Sequence, residues 1–231
     1  MGPNVPGPDT KKTHPWLLRP AMLLLPLVGM LLFVLLYLLA TFHYPGGSYA
    51  MPQKDGFSFW HNYLCDLLDQ EAINGELNGA SSYARWALGV LCASLLWLWA
   101  NLPRLFNRKS WNLYLMWVMG LLALLAMAFL GSETHDSIVR ISGAFGLVAL
   151  VSCIVELHKA GYPKLAILGS SCLLVFLLNY YIYETGILMR SLPVIQKLTF
   201  ALFLLWFALL NRVLLRQLRH GGMRHGHEQG I

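Results

Sequence analysis

Charged side chains are scarce in this sequence. Aspartate, glutamate, lysine and arginine make up 12% of the 231 residues, whereas a soluble domain carries about 25%. Hydrophobic residues make up 57% of the chain, and the mean hydropathy is positive. A chain with this balance cannot cover a globular surface with charge. The composition therefore excludes an ordinary soluble domain and predicts an integral membrane protein.

Cysteine is also scarce. Of four cysteines, Cys92, Cys153 and Cys172 fall inside apolar runs and only Cys65 lies outside them, with no Cys-x-x-Cys pair. This pattern excludes a disulfide framework. Glycine-rich phosphate loops and nucleotide-binding signatures are missing as well. The net charge of +6 is spread over several short segments, which argues against nucleic-acid binding.

Long apolar runs are the dominant feature that is present. Because about 20 apolar residues in a helix cross the hydrocarbon core of a bilayer, such runs predict transmembrane helices. The first run is too long for a signal peptide and lacks a small-residue cleavage site. We expect an all-α, polytopic six-helix bundle over residues 20–218, between cytoplasmic tails at 1–19 and 219–231. The six runs cover 20–42, 83–102, 111–131, 138–157, 165–183 and 199–218.

The basic residues predict the orientation of the bundle. With both termini in the cytoplasm, twelve of the seventeen lysines and arginines lie on the inner side. The positive-inside rule then favours an N-in, C-in topology. Five basic residues remain outside, and they are Lys54, Arg85, Arg140, Arg190 and Lys197. Most acidic residues also fall outside, an asymmetry that topology alone does not require.

The long outer segment 43–82 contains an unusually polar stretch, FSFWHNYLCDLLDQ at 57–70. On a helical wheel, the polar residues of 60–69 occupy one side and the aromatic and aliphatic residues the other. This pattern predicts a short amphipathic extracytoplasmic helix before the second transmembrane helix. Its polar face either meets water or forms one wall of a site.

The other two outer segments add polar groups at a similar depth. Asp136 and Arg140 stand four residues apart at the start of the fourth run, so we expect them to pair, with Asp66 or Glu184 completing a buried network. Lys197 could instead extend its amine to the surface. Together these segments predict an outward-facing polar cavity. Its expected members are Asn62, Asp66, His135, Asp136, Arg140, Glu184, Gln196 and Lys197.

These residue types leave several chemistries open. His61, Asp66, His135 and Asp136 supply the nitrogen and oxygen ligands that zinc accepts, although no two histidines share a helical spacing typical of a zinc site. Such a site would serve a metal-dependent hydrolase. A nucleophilic Cys65, with His61 as its base, is an alternative. The outer acids could also form a proton or ion relay in a transporter.

A short motif gives the chain a family resemblance. Asn62, Leu64, Cys65 and Asp66 resemble the N-x-[IL]-S-[DE]-L pattern of six-helix bacterial membrane proteins grouped as the domain-of-unknown-function 998 family, and more distantly of the DRAM/Frag/Sfk group. Cys65 replaces the usual serine, and Asn74 or Asn78 provides the asparagine that follows. The resemblance implies a six-helix fold in the bacterial inner membrane and carries no activity with it. From the polar residues we expect an outer cavity that binds a small amphiphile or a lipid headgroup, with the lipid bilayer as surrounding partner.

Overall fold

Six α-helices build the protein in the computed structural model, which describes residues 20–106, 108–129 and 135–228. Among these residues there are no β-strands, only two isolated bridges, Gly46 to Asp55 and Glu71 to Leu77. Each predicted apolar run corresponds to one helix. The helices are α1 (Leu25–His43), α2 (Ser81–Asn101), α3 (Trp111–Met127), α4 (His135–Lys159), α5 (Pro163–Thr185) and α6 (Leu192–Glu228).

Local sequence signals account for the helix ends. Pro26 and Pro163 lie in the first turns of α1 and α5, where a missing N–H costs no hydrogen bond. The Ser110 hydroxyl caps α3 by accepting from the Leu113 amide at 3.0 Å. Gly186 ends α5 in the left-handed conformation, with φ of 71°. The ends of these helices therefore follow from local features of the sequence.

The helices pack in chain order as antiparallel neighbours, and α6 also contacts α1. Buried tryptophans join neighbouring helices: the Trp99 indole donates to the Met116 carbonyl at 3.1 Å, and the Trp206 indole donates to the Leu165 carbonyl at 2.9 Å. Gly120 lies against the Trp99 ring with no room for a Cβ atom. These contacts hold α2 to α3 and α5 to α6.

The outward faces of the helices are apolar. Among the described residues, five helical segments are long and apolar enough to cross a membrane, and the 17-residue α3 is a shorter apolar helix beside them. On α1, Val28, Leu31, Leu35 and Leu38 are each more than half exposed. Such a continuous apolar stripe is uncommon on a soluble monomer. The fold is compatible with a multi-pass membrane protein.

Residues 60–69 do not form the expected amphipathic helix. A turn at 59–61 and a single 3₁₀ turn at Cys65–Leu67 replace it. The polar side chains themselves explain the difference, because they bond to backbone amides that a helix would need. The Ser58 amide donates to Asn62 Oδ1 at 2.8 Å, and the Tyr63 amide donates to Asp66 Oδ2 at 2.9 Å.

Candidate functional site

The segment 44–80, which we call the outer cap, is folded around Asn62. Asn62 is 1% exposed, and its amide group makes three hydrogen bonds. Its Nδ2 atom donates to the Gly47 carbonyl at 2.6 Å and to Asp66 Oδ2 at 3.0 Å, while its Oδ1 accepts from Ser58. One side chain therefore joins the start, the middle and the 3₁₀ turn of the outer cap.

Asp66 is the buried acid of the outer cap. Burial raises the pKa of its carboxyl above the ordinary value, although the hydrogen bonds from Asn62 and Tyr63 oppose that shift. Asn78 completes this centre, since its Nδ2 donates to the Asp66 and Asp69 carbonyls at 3.0 and 2.8 Å. Its Oδ1 accepts from the Ala80 amide at 3.0 Å, one residue before α2 begins.

Two side chains of α6 attach the outer cap to the bundle. Lys197 Nζ donates to the Asn62 carbonyl at 2.6 Å and to the Pro193 carbonyl at 2.9 Å. The same amine lies 5.1 Å from the centroid of the Phe59 ring, a cation–π contact. Gln196 Oε1 accepts from the Leu64 amide at 2.8 Å. Lys197 thus points into the outer cap and does not extend to the surface.

The predicted site residues divide into two groups. Asn62, Asp66, Gln196 and Lys197 come together, but they bond to one another and to backbone atoms and form a packed joint where a cavity was expected. Arg140 and Glu184 form the second group, on α4 and α5.

Arg140 forms its ion pair with Glu184, across α4 and α5. Arg140 Nε lies 3.1 Å from Glu184 Oε1, and the two side chains are 57% and 33% exposed. Glu184 was one of the two partners predicted from another segment, but the pair lies at the surface of the bundle and not in a buried network. The backbone of His135 and Asp136 opens α4, but their side chains lie outside the described part of the structure, so the expected Asp136 pairing stays a prediction.

The metal hypothesis receives no support from the positions of His61 and Asp66. Among the described side chains, no three of histidine, cysteine, aspartate and glutamate lie together as a metal site would require. His61 Nδ1 lies 2.9 Å from the Ser58 hydroxyl. Asp66 Oδ2 accepts hydrogen bonds from Asn62 and from the Tyr63 amide. The side chains of His135 and Asp136 are not among those that the structure describes, so their part in a zinc site stays a prediction.

The cysteine hypothesis loses its geometric basis. His61 and Cys65 do not share a helix face, because the segment is not helical. Burial, with a further contribution from the Asp66 carboxylate, raises the pKa of the Cys65 thiol to about 12. Since the thiolate is the reactive form, such a thiol is a poor nucleophile at neutral pH.

A cavity of about 380 Å³ lies beside this joint, between the outer cap and the turn that precedes α6. Two residues supply its charge and hydrogen-bonding capacity, His61 from the outer cap and Arg190 from the 3₁₀ turn Met189–Ser191. The remaining lining residues are Ala50, Met51, Trp60 and Val194. Arg190 was counted in the sequence only for topology, and its position as an outer cation between two helices was the signal for it.

A second polar centre, which was not predicted from the sequence, lies around Glu156 at the opposite end of the bundle. This carboxylate is buried, and its Oε1 accepts from Asn112 Nδ2 at 2.8 Å and from the Ser110 hydroxyl at 3.3 Å. Lys159 Nζ lies 3.5 Å from the same oxygen. Because these bonds link the first turn of α3 to α4, they stabilise the helix pair.

The comparisons with known proteins add no relative. No family model, no curated protein and no solved structure matches the chain.

Proposed function

We propose that this protein is a multi-pass protein of the bacterial inner membrane that binds a small amphiphile or a lipid headgroup at its outer face. The observation that carries the proposal is the cavity between the outer cap and the turn before α6, in which His61, Arg190 and Trp60 accompany apolar residues. Ligand sites commonly combine apolar walls with a few polar groups in this way.

The orientation follows from charge at the two ends of the bundle. The end opposite the outer cap carries described basic residues in the α2–α3 connection, around the α4–α5 connection and in α6. The positive-inside rule places such an end in the cytoplasm. With both termini inside, the outer cap and its cavity face the extracytoplasmic side. The basic residues concerned are Arg104, Arg108, Lys109, Lys159, Lys164, Arg212 and Arg216.

The packed joint gives the cavity a fixed wall. Asn62, Asp66 and Asn78 satisfy one another and nearby backbone groups, and Gln196 and Lys197 fix them to α6. A wall held by hydrogen bonds is preformed, so a ligand does not have to order it on binding. Asn62 and Asp66 belong to the motif by which the sequence resembles the domain-of-unknown-function 998 family, and Asn78 is one of the two candidates for its following asparagine.

The test is to identify what the cavity holds. Wild-type protein, purified gently from bacterial membranes, should retain a lipid or another amphiphile detectable by mass spectrometry. Val194→Trp places a large ring in the cavity and should remove that ligand, while Leu38→Trp, on the exposed face of α1, should not. An identical set of bound molecules in all three proteins would contradict the proposal. Near-stoichiometric zinc in the purified protein would support the metal-dependent hydrolase instead.

A further inference from the structure

The charged side chain that lines the outer cavity is a cation. Arg190 is its only lysine or arginine, and no acid is among the described lining residues. Of the five outer basic residues, Arg85 donates to the Leu68 carbonyl, Arg140 pairs with Glu184, and Lys197 bonds to two carbonyls. Arg190 has no ion-pair or hydrogen-bond partner within the described ranges. Its guanidinium is therefore available to an anion.

The backbone holds Arg190 at the cavity. Leu188, two residues earlier, has φ of 60°, a conformation that a leucine rarely adopts. Its carbonyl accepts from the Ser191 hydroxyl at 2.7 Å and from the Ser191 amide at 2.9 Å, and the Tyr63 hydroxyl donates to the Met189 carbonyl at 3.4 Å. Such strain persists only where neighbouring contacts maintain it. The turn therefore presents Arg190 in a defined place.

His61 provides a second hydrogen-bond donor at the cavity. The contact between its Nδ1 atom and Ser58 leaves Nε2 without a partner among the described residues. Since the serine hydroxyl can donate to Nδ1, the ring can carry its proton on Nε2 and donate it to a ligand. Arg190 and His61 thus offer two donor groups to an acidic oxygen.

The surroundings of the cavity favour a lipid as the source of that oxygen. Tyr49, Phe59 and Trp60 belong to the same outer cap and are each more than half exposed. Exposed aromatic residues of this kind lie at the level of the lipid headgroups. A cavity of about 380 Å³ is at the small end of ligand sites, so it suits a headgroup with its glycerol and leaves the acyl chains outside.

We infer that this cavity binds the phosphate of an anionic phospholipid of the outer leaflet, with Arg190 and His61 donating to its oxygens. The inference rests on the proposed function and specifies its ligand class. A zwitterionic headgroup carries its own cation beside the phosphate, which competes with Arg190. An anionic headgroup such as that of phosphatidylglycerol has no such cation, so the cavity discriminates between the two.

The test is a competition measured by native mass spectrometry. Full-length protein in detergent is offered phosphatidylglycerol and phosphatidylcholine with identical chains in equal amounts. Wild type should retain phosphatidylglycerol preferentially, and Arg190→Gln should lose about tenfold of that preference, as expected for one charge-assisted hydrogen bond. Lys54→Gln is the matched control, because Lys54 is an exposed cation of the outer cap that does not line the cavity.

Four other outcomes overturn the inference, and they separate it from the proposed function. If Val194→Trp removes both lipids but wild type holds them equally, a ligand site exists and its anionic selectivity is wrong. If Val194→Trp removes neither lipid, the proposed function fails as well. If Arg190→Gln and Lys54→Gln behave alike, Arg190 is not the determinant. If free glycerol phosphate displaces the lipid at equal concentration, the ligand is a soluble anion and not a membrane lipid.

Discussion

Asn62 connects three parts of the outer cap through one amide group. Replacing it with alanine leaves the Ser58 amide without a partner and removes one of the two hydrogen bonds to Asp66 Oδ2, which keeps only the Tyr63 amide. Each buried polar group that loses its hydrogen bond costs about 1–3 kcal/mol. We therefore expect Asn62→Ala to lower the free energy of unfolding by about 2–4 kcal/mol, measured in detergent.

Asn74 provides the matched control in the same segment. Its Oδ1 accepts one exposed hydrogen bond, from the Glu76 amide at 3.1 Å. Asn74→Ala should stay within about 0.5 kcal/mol of wild type. Equal losses from Asn62→Ala and Asn74→Ala would mean that burial of the Asn62 network adds nothing to stability.

Asp66 makes stability depend on pH in a defined direction. Burial raises the pKa of its carboxyl above the ordinary 3.8. A carboxyl with a higher pKa in the folded chain binds its proton more tightly there. The stabilisation of the folded state by this tighter proton binding is fully present below the ordinary pKa. It is lost as the pH rises through the raised pKa. Relative to Asp66→Asn, wild type should therefore gain unfolding free energy on acidification.

Measuring both proteins across a pH series isolates this effect, since other titrating groups cancel in the difference between them. If the unfolding free energy of wild type relative to Asp66→Asn does not change with pH, or increases as the pH rises, the Asp66 carboxylate is not destabilised by burial.

At the residue scale, the sequence identified the important polar positions more successfully than their partners. Asn62, Asp66, Gln196 and Lys197 stood out because polar side chains are rare in so apolar a chain. Their mutual contacts depend on how the outer cap lies against α6, which residue spacing does not determine. Leu64 and Gln196, which are 132 positions apart in the sequence, illustrate this limit.

At the scale of elements, apolar runs predicted the helices because about 20 consecutive apolar residues leave few other structures. The short segment 60–69 was mispredicted for a physical reason. Helical periodicity depends on where polar residues lie in the sequence and not on the hydrogen bonds that they form. Here the side chains of Asn62 and Asp66 accept hydrogen bonds from backbone amides. In the longer helices, apolar packing outweighs such local competition.

Gly47 and Gly75 test the conformation of the outer cap. Both have nearly the same left-handed backbone, with φ of +84° and +85°. A Cβ at Gly47 would lie 2.5 Å from the Asn74 amide nitrogen, whereas one at Gly75 would meet nothing within 4 Å. Gly75→Ala should cost about 1–2 kcal/mol from backbone strain alone.

Gly47→Ala should cost clearly more than Gly75→Ala, because backbone must move and the Gly47 carbonyl bonds to Asn62 and Tyr44. Unfolding of both variants in detergent measures the comparison. Equal losses would show that Gly47 does not approach residues 73–74 as closely as the structure places it.

At the scale of the whole molecule, a hydrogen-bonded cap closes one end of the helix bundle, and the cavity proposed to bind a ligand lies at the edge of that cap. The sequence predicted the number of helices and the polarity of one end. It did not predict that the polar residues would satisfy one another, because that requires the outer cap, α2 and α6 to meet. The role of Glu156 in joining α3 to α4 was not predicted either, because its partners Ser110 and Asn112 lie more than forty residues away in the sequence.

The most direct test of this architecture is the rate at which a membrane-impermeant maleimide labels Cys65 in intact cells. Cys92, Cys153 and Cys172 are buried within helices, so Cys65 is the reporter of the outer cap. Because the pKa of its thiol is raised to about 12, labelling should be slower than in the unfolded chain by roughly a hundredfold or more.

Gln196→Ala, which removes the bond to Leu64, should accelerate labelling about tenfold, as expected for the loss of one hydrogen bond. We expect wild-type Cys65 to be labelled from outside, slowly and at a rate that Gln196→Ala increases. Labelling as fast as in the unfolded chain would contradict a packed outer cap, and labelling only from the cytoplasmic side would reverse the orientation.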